Sequence, residues 1–373
     1  REMLHSLAFF WTDFDNVRLT NLKDFSIVFL ARDHIIKMLA RYMILNDTDK
    51  LLMVMRPYQV YAVEALVRQA TLTNRNAYVW HTTGAGKTLT SFKTAQILAA
   101  NPNIKKVILL VDRKDLDSQT TEEFNKFENG SVDATDRTDV LVKQMQDKNR
   151  QLIVTTMQKM ANAVKRPQYA KIMDTYKDEK VVFIIDECHR IGEAEQSQYQ
   201  QLIAHLRQHN PALRVLGLTA TPYRLGMGYI YNFHYRGMVR SHEPRLFVEC
   251  IYELSLRQMI RQGYLTPPRL IDAPVLHYDF SQLKPRENGL FAEADIDAEI
   301  RRQARVTPKI IEAIIEEAAR RQGVMIFAAS VMHAREIHSL LPAGSSALIT
   351  GETPGEERDQ ALLAFKARRL TYL

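Results

Sequence analysis

The chain has 373 residues, 46% hydrophobic and 25% charged, with a net charge of +7. That balance suits a globular protein of two or three domains and excludes a mostly disordered or fibrous chain. Its longest apolar runs, such as VVFII at 181–185, are far short of the ~18 residues of a membrane span, so no membrane partner is expected.

No cationic start leads into an apolar core, so no signal peptide is visible, and the chain begins with Arg1, as a fragment or processed product would. Cys188 and Cys250 are too few for a disulfide framework or a cysteine-rich zinc site, and a reducing cytoplasm is the simplest compartment. The small basic excess permits nucleic-acid binding without demonstrating it.

In chain order, residues 1–55 read as helical, with apolar positions three and four apart in DHIIKMLARYM, and residues 1–50 form a lead-in. From 51 to 225, short apolar runs alternate with helical stretches. AYVWH (77–81), VILLV (107–111), LIVTT (152–156), VVFII (181–185) and VLGLT (215–219) read as strands. This alternation predicts an α/β fold, a parallel sheet with helices on both faces. Residues 226–305 read as a connector containing one helix, near 254–262. Residues 306–373 read as a second α/β block. Helices are expected at 308–321, 331–341 and 356–367, and strands at 324–329 and 347–350, with RLTYL entering a further strand.

Three motifs carry chemistry. HTTGAGKT, His81 to Thr88, lies between a strand and a helix. In it Thr83, Gly84, Ala85 and Gly86 let backbone N–H groups approach phosphate oxygens, with the helix N-terminus facing the anion. Lys87 supplies charge to the β/γ-phosphates of ATP, and Thr88 a hydroxyl for Mg²⁺. His81 stands where the strict pattern has glycine. DECH, Asp186 to His189, follows a buried-type strand. There Asp186 would hold Mg²⁺ and Glu187 would polarise the attacking water. Cys188 reads as a core residue, and His189 as either a link to the neighbouring motif or a structural histidine. In LTATP, Thr219 and Thr221 could relay the state of the acidic motif.

Together these residues resemble a superfamily 2 helicase or translocase core, which implies two RecA-like domains with parallel sheets. In that resemblance RPYQVYAV is the glutamine motif, with Arg56 and Gln59 at the adenine. VDRKDLDSQ and VTTMQ are its nucleic-acid motifs, which implies Arg113, Thr155 and Gln158 as DNA contacts. MIFAAS and ITGETPGEERDQALLAFK resemble second-domain segments. More narrowly, residues 4–190 are similar to the motor subunit (HsdR) of type I restriction enzymes, through FFWTDFDNVRLTNLKDFSIVFL, YVWHTTGAGKTLTSFKTA and VDRKDLDSQTTEEF. Residues 186–373 are similar to the repair protein RadD, through DECHRIGEAEQSQYQQL, GLTATPYRLGMGYIYNFHYRGMVR and YELSLRQMIRQGYLTPPRL. The two meet at DECHR, as in a chimera.

The resemblance implies an ATP-dependent motor on DNA, expected to be double-stranded, with restriction-modification or repair proteins as partners. It also implies that the second domain is truncated at its C-terminus. The superfamily's arginine finger lies in that domain's final motif, which no arginine between Arg320 and Arg369 matches. The alternative is therefore a fragment that binds ATP and DNA without turnover, since a finger typically contributes ~10³–10⁵ in rate.

Overall fold

The computed structural model describes residues 9–46, 50–111, 138–165, 174, 176–186, 188, 198–224, 228–269, 277–284 and 291–373. The chain divides into two compact units, Arg1–Pro267 and Pro268–Leu373.

The first unit opens with a lead-in that is only partly helical. Helices α1 (Leu22–Val28) and α2 (Arg32–Lys37) run into a π turn, Met38–Tyr42. An antiparallel hairpin follows, β1 (Met43–Asn46) with β2 (Leu51–Val54). This corrects the expectation of helix throughout. The apolar spacing of 33–43 holds for α2 and the π turn, after which MILN and LLMV pair with each other, overriding the helix propensity of their Leu and Met residues. Trp11, Met38, Tyr42, Ile44, Met55, Val60 and Val63 form a small core that fastens the lead-in to the next helix, α3 (Pro57–Leu72).

The main body is a seven-stranded parallel sheet. Its strands are β3 (Ala77–His81), β4 (Lys106–Val111), β5 (Leu152–Thr156), β6 (Val181–Ile185) and β7 (Arg214–Thr219), with β10 (Tyr231–His234) and β11 (Phe247–Leu254). The order across the sheet is β10-β11-β3-β7-β6-β4-β5. A short hairpin, β8 (Tyr223–Arg224) with β9 (Gly228–Tyr229), stands apart. Successive side chains alternate between faces. Val107 and Leu109 thus join Val182, Ile184 and Leu216 under α3 and α4 (Lys87–Ala99). Ile108 and Leu110 join Phe183 and Ile185 under α5 (Thr138–Gln146), α6 (Met157–Lys165) and α7 (Gln198–His209). A strand buried on both faces reads as a continuous apolar run, which is why VILLV and VVFII were legible.

The first unit extends beyond the expected boundary at 225. β10 and β11 lie in the stretch read as connector, yet β11 pairs with β3, Leu254 opposite His81. Helix α8 (Leu256–Arg261) follows at once. The aromatic and glycine content of 226–245 hid β10, and the charged residues Glu249 and Glu253 interrupt the apolar pattern of β11. Lys106 is a further surprise inside β4. Its ammonium is buried and donates to the carbonyls of Gln144 (3.1 Å), Asp147 (2.7 Å) and Arg150 (2.7 Å). It thereby closes the C-terminal end of α5, where unpaired carbonyls favour a cation. Burial pushes the ammonium down to about 8, which leaves it charged at neutral pH.

In the second unit, helices α9 (Glu293–Arg302), α10 (Val306–Glu317), α11 (Val331–Leu340) and α12 (Gly355–Lys366) are described. The expected strands are present only as extended segments. Tyr372 bridges Val324 on one side and Ser346 on the other, both in parallel sense. Val324 N–H donates to Thr371 O (2.7 Å), and Ala347 N–H to Tyr372 O (3.2 Å). Between 325–328, 347–350 and helices α11 and α12 lies an apolar cavity of about 450 Å³, lined by Ile326, Val331, Ile337, Leu348 and Leu362 among others.

Candidate nucleotide-binding site

β3 ends at His81, and the chain turns through 82–86 before α4 begins at Lys87. Two glycines make the turn. Gly84 (φ +75°) and Gly86 (φ +73°) occupy the left-handed region that side chains rarely adopt. A Cβ at Gly86 would also stand 2.5 Å from Gln59 Nε2. Thr83, Gly84 and Gly86 are exposed, Ala85 is buried, and Lys87 and Thr88 are half-buried in the first turn of α4. That places backbone N–H groups, a lysine and a hydroxyl around one helix N-terminus, the arrangement that receives a phosphate chain.

Gln59 is buried beneath this loop. Its Oε1 accepts from Arg56 N–H (2.9 Å), and its Nε2 donates to Ala85 O (3.1 Å). The amide thus ties the start of α3 to the phosphate loop. Arg56 caps α3, Pro57 is its first residue, and the Arg56 guanidinium lies over the Tyr264 ring at 4.4 Å.

His81 is fully buried, edge-on to Tyr58 and Tyr252 at 6.0 Å each, and neither ring nitrogen has a hydrogen-bond partner. Burial, reinforced by the Lys87 charge, pushes its pKa down to about 3. It is a neutral wedge under the loop, larger than the glycine of the strict pattern. The surrounding aromatic rings supply the room.

Asp186 follows β6, half-buried, with its backbone N–H bonded to Leu110 O (3.0 Å). Thr219 ends β7, the strand between β3 and β6, and is buried, its Oγ1 accepting from Thr221 N–H (3.1 Å). Thr221 is exposed. Because β3, β7 and β6 are parallel neighbours, the glycine turn, the threonines and Asp186 all follow the carboxyl ends of their strands. Open α/β sheets bind ligands outside those ends. Glu187, His189 and Arg113 lie outside the described residues. Cys188 is buried in the core, against the face of Gly217, where a Cβ would come within 2.6 Å of its sulfur.

Thr155 needs a correction. It is 3% exposed and its hydroxyl is unpaired and buried, so it does not present that hydroxyl to a nucleic-acid backbone. Strand alternation turns Thr155 inward, and the half-buried Thr156 accepts from Lys159 N–H (3.1 Å) at the start of α6. Gln158 is exposed in the first turn of that helix. Among the described residues no cluster of three or more His, Cys, Asp or Glu could hold a metal. No described helix is long and apolar enough to cross a membrane.

Residues 58–261, more than half of the chain, match the SWI2/SNF2 ATPase family. The chain belongs to that family. The SWI2/SNF2 match spans the phosphate loop, Asp186 and the threonine motif. Among related proteins, the type I restriction enzyme SsaAORF53P endonuclease subunit of Staphylococcus saprophyticus is 56% identical over 221 residues. That alignment covers 59% of this chain and 23% of the relative. The SauCOLORF180P endonuclease subunit of Staphylococcus aureus is 49% identical over 262 residues, covering 70% and 26%. The putative C-terminal part of the MpnIIP endonuclease subunit from Mycoplasma pneumoniae is 36% identical over 193 residues, covering 48% of this chain and 92% of that protein. This chain therefore spans about a quarter of the length of the first two relatives. Among solved structures, the Sulfolobus solfataricus SWI2/SNF2 ATPase core in complex with dsDNA is 17% identical. It matches with a TM-score of 0.36 over 50% of this chain and 34% of that one.

Proposed function

We propose that this chain is the ATP-driven motor segment of a type I restriction enzyme endonuclease subunit, and that it couples ATP hydrolysis to movement on double-stranded DNA. The observation that carries the reading is the turn with its two left-handed glycines at the head of α4, at the carboxyl end of the sheet that also bears Asp186. The names of the restriction-subunit relatives support the restriction setting.

In this reading Thr83 to Gly86 and the α4 N-terminus hold the phosphates, and Lys87 neutralises the β/γ end. The Thr88 hydroxyl and Asp186 carboxylate are hard oxygen donors that suit Mg²⁺, which when bound would offset charge on the phosphates. Glu187 orients and polarises the attacking water. Thr219 and Thr221, with His189, link the acidic motif to the threonine turn. Arg113 and Gln158 grip the DNA backbone, a contact that would be salt-dependent and largely blind to sequence. The soluble cell interior and restriction-modification partners belong to this same proposal.

The test compares wild type, Lys87→Ala and Glu187→Gln for binding of a fluorescent ATP analogue and for phosphate release with and without duplex DNA. Lys87→Ala should lose nucleotide affinity while the fold survives. Glu187→Gln should still bind ATP, with hydrolysis reduced ~100-fold or more. Unchanged ATP affinity in Lys87→Ala would remove the loop from the active site.

A further inference from the structure

The segment after α8 returns to the phosphate loop. Gly263 adopts φ +74°, and the N–H groups of Tyr264 (2.9 Å) and Leu265 (3.3 Å) both donate to Met259 O. This reversal at the helix end sends Leu265 to within 3.5 Å of where a Cβ on Gly84 would sit. It also places the Tyr264 ring against the Arg56 guanidinium at 4.4 Å and edge-on to Tyr58 at 5.8 Å. Arg56 and Tyr264 are each half-buried, and both lie just outside the residues matched by the family.

The strap is anchored independently of any nucleotide. Gln262 Nε2 donates to Asn16 O (2.6 Å), and Gln258 Nε2 to Asp15 O (3.2 Å). Asn16, itself at φ +63°, accepts from the Tyr252 hydroxyl through Oδ1 (2.8 Å). The lead-in turn thus clasps α8 from outside and holds Tyr264 in place.

Gln59, meanwhile, has both ends of its amide engaged by backbone groups of Arg56 and Ala85. Beside the loop, the half-buried Arg56 presents a planar cation already backed by an aromatic ring. Guanidinium planes stack on π-faces, and holding one in advance lowers the entropy lost on binding.

We propose that Tyr264 is a positioning residue of the nucleobase site: it backs one face of Arg56 so that the other face stacks on the adenine of ATP. This rests on the reading of residues 81–88 as the triphosphate loop. Tyr264 holds the Arg56 plane ready for the base, while Gln59 ties the start of α3 to the turn beside it.

The 373-residue chain is titrated calorimetrically with Mg·ATP and, separately, with Mg·tripolyphosphate, which has no base. Tyr264→Ala should weaken ATP roughly tenfold and leave tripolyphosphate within about twofold, the size of a partly desolvated cation–π contact. Tyr264→Phe, which keeps the ring, should restore ATP binding. Arg56→Ala should show the same base-dependent loss, and the double variant should lose less than the two single losses combined. Equal losses for both ligands, or no loss for ATP, overturn the proposal and leave the loop reading standing. Failure of the wild type to bind either probe overturns the loop reading and this inference with it.

Discussion

The two units start from the same kind of sequence and end differently. VVFII at 181–185 and VMIFAA at 324–329 are both short apolar runs. In the first unit, β6 pairs along its length with β4 on one side and β7 on the other, and all five residues are buried. In the second, the corresponding segment meets Tyr372 in one isolated bridge, and Phe327 is 88% exposed. An apolar run becomes a core strand when neighbours cover both faces and both edges. The composition of the run does not supply them.

The largest test of that contrast is a pair of truncations. Phe183→Ala should cost about 3–5 kcal/mol, because the side chain is fully enclosed between sheet and helices. Phe327→Ala should change stability by less than about 0.5 kcal/mol. Both tryptophans, Trp11 and Trp80, lie in the first unit, so their fluorescence follows that unit alone, whereas far-UV circular dichroism follows both. In urea the dichroism of the wild type should begin to fall before the fluorescence does. Coincident transitions would show the units to be equally stable.

A smaller effect probes how the first unit closes its helix end. Lys106→Met keeps the volume but leaves three carbonyls to find water, and should lower stability by about 1–3 kcal/mol. A neutral result by urea melt would mean that the carbonyls are already solvated.

A further effect, read between pH 6.5 and 5, is on acid stability. His81 is held neutral down to about pH 3, while an unfolded histidine takes up its proton near 6.5. Between those values the unfolded state binds more protons, so stability falls as pH falls, by up to about 1.4 kcal/mol per pH unit. The stability is fully present above 6.5. His81→Phe should flatten the pH dependence between 6.5 and 5, measured by urea midpoint at each pH. An unchanged slope would assign the acid sensitivity to other groups.

Much of the site was legible because its signals are local. Gly84, Gly86 and Lys87 sit within four residues, and their turn follows from backbone sterics that need no partner. Arg56 could be singled out from RPYQ, but its ring partner Tyr264 lies more than 200 positions away, and no local signal joins the two. Thr155 and Thr156 stand side by side in LIVTT. Alternation requires one to point inward, and the sequence contains nothing that sets which.

By itself the sequence determined the strand-helix alternation, the parallel sheet and the glycine turn at the head of α4, since each is written in spacing over a few residues. The tertiary structure alone decided that β11 lies beside β3, extending the first unit from 225 to Pro267. It also decided that Lys106 is buried as a cap, that His81 is a neutral wedge, and that Tyr264 backs Arg56. These depend on which distant segments become neighbours, and that choice is made by how the whole core packs rather than by any local period.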